Sequence, residues 1–593
     1  MPLLQQTNKK MTKLRFLPLI VAVAFALSCS RSLKDGSYEL HVLSTNDVHS
    51  TWFDSTYVGD GVKKSIYAMN YYIDSVRAVY GFENVALIDA GDCLQGDNAA
   101  YYFNYIDTLT PHLFPRIMGY MKYDAIAVGN HDIETGHPVY DRVAKDLEDF
   151  DAPFLAANAI RTDNGKAYFP EYKIIEKAGL KVAILGYTNA NMKAWLTEDL
   201  WSGMNFALIM DQVQSDIDRV KAKEKPDVMI VAMHSGCGLG DGTIRENEAL
   251  DVFNNIKGID FLLCGHDHRP NVITRDSTCL LNSGSHSRFV AHGTLKLEVK
   301  DGKISGKSFQ SQLIEVKAEK ADAKMRETFY PDFRAVRNFT LQEVGQLKAN
   351  LVTREAYRGM SNYINLLHYV SLKASNADIS LSAPLTYNGE VEKGTLVFND
   401  LFTIYPFENL LFVIKMSGKE IKDYLEKSYD NWINTVSGPA DHVLKIQHRD
   451  DPRTQQKGWS FVGRTYNFDS AAGIYYTVDI TKPFGERIRI SKTSGGELFD
   501  ADKIYSVAMT SYRASGGGGL LRESAGIDAD NLDSRVIARY PEIRELIYRY
   551  LKENKTIDPA TIGDENVIGG WAFIPRPLAQ KALDRDMALV FGN

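Results

Sequence analysis

The sequence predicts a chain of two α/β (α+β) domains, and three observations support this prediction. Its 593 residues are well beyond the roughly 100–200 residues of a typical domain. Apolar residues make up 44% and charged residues 24% of the chain, which is ordinary globular usage and excludes a disordered or fibrous protein. Short apolar runs alternate with longer amphipathic stretches, as strands and helices do in α/β domains.

The first 29 residues have the features of an export signal. Lys13 and Arg15 precede an apolar run over residues 16–27, which is too short to span a bilayer by itself. The segment 26–29, Ala-Leu-Ser-Cys, resembles a bacterial lipobox and predicts that Cys29 carries a lipid. A plain cleaved signal is the alternative. We therefore expect an exported protein, periplasmic or in the outer envelope, tethered to a membrane through Cys29.

The net charge and the cysteine content exclude two further classes of protein. With 68 basic and 75 acidic residues, the net charge is −7, which argues against a general nucleic-acid binder. Five cysteines are too few for a fold that disulfides hold together. We therefore expect no nucleic-acid polymer as a partner and a fold stabilised by its apolar core.

A charged stretch separates the predicted elements into two groups. We place the first domain at 36–315, a connector at 316–347 and the second domain at 348–593. The connector is rich in charged, helix-forming residues, and we expect any hinge between the domains there. The predicted strands are 39–44, 85–89, 125–128, 182–185, 228–232 and 261–264 in the first domain and 410–416, 475–480 and 505–509 in the second, with amphipathic helices at 66–79 and 213–223.

Five strands of the first domain are followed by His, Asp or Asn. These side chains therefore lie at the carboxyl ends of strands, where α/β sheets bind their ligands. Carboxylate, imidazole and amide groups together suit divalent metals such as Zn, Mn, Fe or Co, and there are enough of them for two ions. The candidates are Asp47 and His49, then Asp92, then Asn130 and His131, then His234, and finally His266 and His268. The remaining histidines of this domain that we considered, His112, His137, His286 and His292, are interpreted as ordinary turn or core residues.

The order of these segments resembles the motif series of the calcineurin-like metallophosphoesterases, D-x-H, G-D-x-x-x-G-D, G-N-H-[ED], a lone His and G-H-x-H. The resemblance implies a four-layer β-sandwich flanked by helices, with two divalent ions that bind phosphate oxygens and activate a water molecule. It assigns one ion to Asp47, His49, Asp92 and His268, and the other to Asp92 (bridging), Asn130, His234 and His266. It makes His131 the catalytic histidine, and Glu134 stands where the nucleotidase branch has an Asp that orients this histidine.

The domain order and the C-terminal half resemble the secreted 5′-nucleotidase and 2′,3′-cyclic-nucleotide phosphodiesterase family. In that family an α/β C-terminal domain stacks the nucleobase between two aromatic rings. The resemblance places these rings at Phe407, in a motif that includes Asn409, and at Tyr512, before a glycine run at 516–519. A small nucleotide is therefore the implied substrate, and base stacking contributes about 1–3 kcal/mol.

Several positions bear on which branch of the family the chain follows. The 5′-nucleotidase branch has an Arg in the region that corresponds to 382–387, a Phe at Tyr512 and an Asp at Gly518, and this sequence has none of them. The sequences around Tyr466 and Tyr512 resemble the 2′,3′-cyclic phosphodiesterase/3′-nucleotidase branch, whereas Pro-Phe-x-Asn at 406–409 is closer to the 5′ branch. We favour the cyclic/3′ activity. The alternatives are a 5′-nucleotidase or UDP-sugar hydrolase, a phosphoprotein phosphatase, and a catalytically inactive nucleotide-binding surface protein.

Overall fold

The computed structural model describes residues 33–592 except 276, 408, 452–455 and 528–530. The predicted export signal and Cys29 lie outside the described residues. Among the residues that are described, no helix combines the length and the apolar character needed to cross a bilayer.

The N-terminal half is built on two six-stranded sheets that face each other. In spatial order, the first sheet contains Lys303–Glu315, Phe289–Lys300, Gly36–Thr45, Val85–Asp89, Ala125–Ala127 and Phe154–Leu155. The second contains Asn271–Arg275, Thr278–Asn282, Phe261–Cys264, Val228–Met233, Leu180–Tyr187 and Tyr172–Lys177. A small ribbon pairs Ala159–Arg161 with Met204–Phe206.

Successive side chains of a strand point to opposite faces of its sheet, so each sheet packs against the other sheet on one face and against helices on the other face, which gives this half four layers. Leu40 and Val42 of the first sheet pack against Val182 and Ile230 of the second, so that one core lies between the sheets. Leu43 points to the opposite face and packs with the helices that cover the first sheet. Helix Ile209–Glu224 covers the outer face of the second sheet. The helices on the first sheet are Ile66–Tyr80, Asn98–Tyr101, Leu113–Met121, Asn130–Glu134 and His137–Glu148; Met192–Trp195, Glu198–Trp201 and Ala249–Asn255 follow later in the chain. The predicted sandwich of sheets and helices is confirmed.

The charged connector contains a long helix, Ala323–Thr340, that packs on the N-terminal half. Its apolar face buries Met325, Phe329 and Val336 in the same core cluster as the helices of the first sheet. On its polar side, Arg116 makes two hydrogen bonds of 2.7 and 3.0 Å to the Asp332 carboxylate. This helix is therefore part of the N-terminal core, and the hinge that we expect within the connector stays a prediction.

The C-terminal half contains a five-stranded sheet and several smaller ones. The larger sheet has the order Ser470–Ala472, Ile379–Ser382, Ile504–Thr510, Leu410–Ser417 and Val536–Glu542. The smaller sheets are Ile488–Thr493 with Ile474–Asp479 and Gly569–Ile574; Gly394–Val397 with Glu343–Leu347 and Thr556–Ile557; Leu351–Val352 with Glu390–Val391; and Ile446–Asp451 with Gln456–Phe461. The strands expected near 410, 475 and 505 are confirmed.

Helices of the C-terminal half pack on both faces of the larger sheet. Gly418–Trp432 begins with a capping box, in which Ser417 and Glu420 each bond the other's backbone N–H. The other helices are Asn362–Ser375, Phe398–Ile404, Ser511–Ala514, Leu520–Ala525, Ile543–Asn554, Pro559–Ile562, Glu565–Ile568 and Arg576–Phe591. The two halves touch where Tyr101 packs on Phe398 at 5.0 Å and Asn98 bonds Asn399 at 3.0 Å.

Candidate metal centre and aromatic site

The loops that follow the predicted strands converge on one site at the carboxyl ends of the two sheets. In the first group of donors, the Nε2 atoms of His49 and His268 lie 2.9 Å apart. The Asp47 Oδ1 atom lies 3.3 Å from the His268 nitrogen and 3.8 Å from the His49 nitrogen. Three donor atoms that face one point at these separations could hold one divalent ion.

A second group of donors lies beside the first. The Asp92 Oδ2 atom is 2.9 Å from His234 Nε2, and His266 joins them within reach of one ion. The side-chain oxygen of Asn130 lies 2.9 Å from His266 Nδ1. The backbone N–H of His266 donates a 2.8 Å hydrogen bond to an Asp47 oxygen, which ties the two groups together. The structure thus brings all seven predicted ligands into two adjacent groups.

The electrostatics of the site divide its histidine ligands into two pairs. Despite burial, the carboxylates of Asp92 and Asp47 raise the pKa of His234 to about 9 and raise that of His268, so these two rings would release a proton on binding a metal. Burial lowers the pKa of His266 to about 3 and that of His49 well below its usual value, so both rings are neutral at pH 7, as a ligand nitrogen must be. The Asp47 Oδ1 and His234 Nε2 atoms are buried and lie close to the other ligands, yet neither makes a hydrogen bond of acceptable geometry, although buried polar atoms normally make one. The other ring nitrogen of His234 lies 2.8 Å from the Ala90 carbonyl, which fixes the ring orientation. These residues fit two divalent cations.

Five of the seven ligands have left-handed backbone conformations. Such conformations cost a non-glycine residue about 1–3 kcal/mol and cluster at functional sites. Glycines allow the loops to pass this closely, because a Cβ on Gly129 would lie 2.1 Å from an Asp92 oxygen and one on Gly265 2.7 Å from an Asp47 oxygen. The φ angles are +48° at Asp47, +46° at His49, +63° at Asp92, +77° at His266 and +56° at His268.

His131 and Glu134 form a pair at the edge of the metal site. The Glu134 carboxylate lies 2.5 Å from His131 Nδ1, and because a carboxylate only accepts, Nδ1–H is the donor. The backbone N–H of His131 donates to Asp92 Oδ1 at 2.8 Å, so the histidine is held beside the second group. The longer Glu side chain thus reaches the ring nitrogen as the Asp of the resembling branch is expected to do.

The structure also brings residues to the site that the sequence did not single out. His286, interpreted as an ordinary histidine, stacks on the His49 ring at 5.1 Å, and Trp195 stacks on His266 at 5.3 Å. Asp132 accepts hydrogen bonds from four backbone N–H groups, among them those of Asp92 and Gly129, and so shapes the two loops. Asp132 directly follows His131, so its position in the sequence could have indicated a role at the site. No local sequence pattern indicates such a role for His286 or Trp195.

The aromatic residues predicted to hold a base lie on the C-terminal half. Phe407 and Tyr512 are 42% and 41% exposed, which is high for large aromatic side chains. Partial burial raises the pKa of Tyr512 to about 12, and the charge of Glu246 contributes to this rise. The Glu246 carbonyl in turn accepts a 3.0 Å hydrogen bond from Ser235, next to the ligand His234. Asn409 lies in the same segment as Phe407 and donates to the Tyr405 hydroxyl at 3.4 Å.

Two family models match this chain and cover both halves of the fold. Residues 40–270 match the calcineurin-like phosphoesterases, and residues 343–523 match the C-terminal domain of 5′-nucleotidases. The first match contains every metal-ligand candidate, and the second contains both candidate rings. The chain combines a calcineurin-like phosphoesterase domain with a 5′-nucleotidase C-terminal domain. This phosphoesterase is accordingly a phosphate-ester hydrolase, and its two donor groups suit the two divalent ions that calcineurin-like phosphoesterases use.

Several similar proteins are named as enzymes that hydrolyse nucleotides. The phosphoesterase is 23% identical to the trifunctional nucleotide phosphoesterase of Bacillus subtilis over 92% of this chain and 40% of that longer protein. It is 23% identical to the 2′,3′-cyclic-nucleotide 2′-phosphodiesterase/3′-nucleotidase of Salmonella typhimurium, with 84% of each chain covered. A crystal structure of a 5′-nucleotidase homologue from Staphylococcus aureus superposes with a TM-score of 0.70 at 19% identity, covering 90% of this chain and 99% of that one. That likeness shows the fold.

Removing the carboxylate of Glu134 is expected to slow the phosphoesterase without emptying its metal site. In Glu134→Gln, the neutral amide holds the His131 ring less firmly, and we expect kcat to fall about 10–100-fold with KM and metal content unchanged. Steady-state kinetics and metal analysis of the same preparation measure this. Glu148→Gln, an exposed change at the end of the next helix, is the matched control. An unchanged kcat in Glu134→Gln would show that Glu134 does not contribute to catalysis.

Proposed function

We propose that this protein hydrolyses nucleotides to nucleoside and phosphate with two divalent metal ions, and that it prefers 2′,3′-cyclic and 3′-nucleotides. The observation that carries the proposal is the combination of two adjacent groups of metal-ligating side chains in the N-terminal half with a pair of exposed aromatic rings on the C-terminal half. The names of relatives such as the Salmonella enzyme agree with this chemistry. A catalytically inactive binding protein would have no need to keep all seven ligands.

In this proposal one ion is held by Asp47, His49, Asp92 and His268, and the other by Asp92, Asn130, His234 and His266. When bound, the ions supply Lewis acidity and an activated water molecule for attack on phosphorus. Asp92 lies in the second group, where Oδ2 is 2.9 Å from His234 Nε2, and the resemblance to the metallophosphoesterases assigns it to both ions. The alignment of both groups therefore depends on this one carboxylate.

His131 is proposed to act on the phosphate ester as the catalytic histidine. Nδ1–H donates to Glu134, and the proposal assigns to Nε2 the role of stabilising the transition state or protonating the leaving oxygen. Its ring centre lies 5.5 Å from that of His49, at the edge of the first donor group. Glu134 acts through His131 and is a positioning residue.

The preference for cyclic and 3′-nucleotides rests on the loop after Tyr512. Gly518 has a φ of +71°, and a Cβ there would lie 2.4 Å from the Asn467 side-chain oxygen and 2.6 Å from an Arg513 nitrogen. An aspartate at this position would have to adopt a strained backbone conformation and displace the side chains of Asn467 and Arg513, so the proposal takes the base site to differ from that of the 5′ branch. The sequence at 382–387 also provides no arginine.

A substrate panel tests the proposed preference. We expect phosphate or nucleotide release from 2′,3′-cyclic AMP and 3′-AMP to exceed release from 5′-AMP by at least about tenfold in kcat/KM, which corresponds to about 1.4 kcal/mol of transition-state binding. Product identity by chromatography separates ring opening from phosphate removal. A profile restricted to 5′-AMP or UDP-sugars would establish the 5′-nucleotidase alternative, which Phe407 and Asn409 favour by their sequence context.

We also propose that the protein is exported and tethered by a lipid on Cys29. The support is the basic, apolar and small-residue order of the first 29 residues. Cell fractionation of the full chain and of Cys29→Ser tests it, with the wild type expected in membranes and the variant released. Release of both proteins would favour the plain cleaved signal.

A further inference from the structure

The aromatic site contains a third ring, that of Tyr466, beside Phe407 and Tyr512. The Tyr466 ring centre lies 6.4 Å from that of Phe407, with an angle of 76° between the ring planes. It lies 6.2 Å from the Tyr512 ring centre, with an angle of 85°. Tyr466 therefore links the two exposed rings and stands nearly perpendicular to each of them.

The surroundings of Tyr466 are not those of a core residue. Phe468, two positions later, is fully buried and stacks on Trp432 within the C-terminal core. Tyr466 is only half-buried, and its recorded ring contacts, in the part of the chain that is described, are those with Phe407 and Tyr512. Its hydroxyl has no recorded hydrogen bond to a described residue. The ring is therefore placed among exposed aromatics and is available to a ligand.

A buried ion pair fixes Tyr466 relative to Tyr512. The Arg513 guanidinium makes two hydrogen bonds to the Asp469 carboxylate, at 2.8 and 3.0 Å, and both side chains are almost completely buried. The same guanidinium donates to the Tyr466 carbonyl at 2.8 Å and to the Gly517 carbonyl at 2.5 Å. Because Arg513 is the neighbour of Tyr512 in sequence, the backbone segments that carry both rings are held together in the absence of a ligand, and such preorganisation lowers the cost of binding.

We propose that Tyr466 is a third aromatic wall of the nucleobase site, an inference that rests on the proposed nucleotide hydrolysis. A base stacked between Phe407 and Tyr512 leaves its edge open, and a ring perpendicular to both closes that side by an edge-to-face contact. Contacts of this kind are worth up to about tenfold in affinity. Tyr466 thus contributes to base binding and takes no part in the chemistry at phosphorus.

The test compares Tyr466→Ala and Tyr466→Phe with the wild type. The probes are 3′-AMP, adenosine as a competitive inhibitor, and p-nitrophenyl phosphate, which has no base. We expect Tyr466→Ala to raise the KM for 3′-AMP and the Ki of adenosine about 5–10-fold while kcat and the hydrolysis of p-nitrophenyl phosphate stay within twofold. Tyr466→Phe keeps the ring and is expected to retain wild-type affinity. Phe484→Ala, an exposed aromatic elsewhere in this half, is the matched control.

Three outcomes would overturn the inference in distinguishable ways. An unchanged KM and Ki in Tyr466→Ala would show that the base does not reach this ring. An equal loss with p-nitrophenyl phosphate would show that the substitution acts through the structure of the enzyme. A wild-type enzyme that cleaves p-nitrophenyl phosphate but no nucleotide would refute the proposed function together with this inference.

Discussion

Replacing Asp92 with Asn is expected to abolish phosphoesterase activity, with a fall in kcat/KM of at least about 10³-fold. The substitution keeps the size of the side chain and removes the charge of the carboxylate that we propose serves both ions. Charge from His234 and His131 keeps the pKa of Asp92 well below its ordinary value despite burial, so the wild-type side chain is a carboxylate near neutral pH. Phosphate release and the metal content of the purified variant are the measurements.

The control for this experiment makes the same Asp-to-Asn change at an exposed position. Asp163→Asn alters an exposed carboxylate of the same domain and should leave both activity and metal content unchanged. Asp92→Asn with wild-type activity would contradict a two-metal mechanism at this site. Circular dichroism would show whether Asp92→Asn loses activity because it unfolds. In that case His234→Ala is the second variant, because it changes the other residue of the same 2.9 Å contact.

Breaking the buried pair of Arg513 and Asp469 is expected to destabilise the C-terminal half strongly. In Arg513→Met, the Asp469 carboxylate stays buried with Tyr424 as its remaining side-chain donor, and the carbonyls of Tyr466 and Gly517 lose their donor. Removing one partner of a buried pair typically costs about 3–5 kcal/mol in free energy of unfolding. Urea denaturation followed by fluorescence measures the effect.

An exposed ion pair provides the comparison for this substitution. Lys419 and Asp423 pair one helical turn apart with much of the lysine exposed, so Lys419→Met should leave the urea midpoint unchanged. The KM for nucleotide should also rise in Arg513→Met, because the same guanidinium holds the loops of Tyr466 and Tyr512. A midpoint equal to that of the wild type would show that the pair contributes little to stability.

The sequence allowed the metal ligands to be predicted because two local signals coincided. Apolar strands end at Thr45, Asp89 and Cys264, and the polar residues that follow are forced to the same edge of the sheets by parallel pairing. The resemblance of the segment order to the calcineurin-like metallophosphoesterases then implied the ligand set. Neither argument depends on how side chains pack, so both can be made from the sequence alone.

Other parts of the site depend on tertiary packing that no local pattern carries. His286 and Trp195 reach the ligands His49 and His266 only after their loops have folded back over the sheets. The sequence around Tyr466 indicated a branch of the family, but the place of its ring beside Phe407 and Tyr512 follows from tertiary folding, which also brings Arg513, 47 residues away in the chain, to the Tyr466 carbonyl.

The connector illustrates the same limit at the level of the fold. Its high charge predicted a connector between the domains, and the structure adds that Met325, Phe329 and Val336 of its helix are buried in the N-terminal core. A helical face of this kind can be recognised from its spacing, whereas the surface that it covers cannot.

Anomalous diffraction from crystals soaked with Mn²⁺ and adenosine tests the central claim most directly. We expect two manganese peaks about 3.5–4 Å apart, both in contact with the Asp92 carboxylate, and the base of adenosine beside Phe407 and Tyr512. A single peak, or manganese bound away from the side chains of His49 and His234, would contradict the two-metal site on which the proposed activity depends.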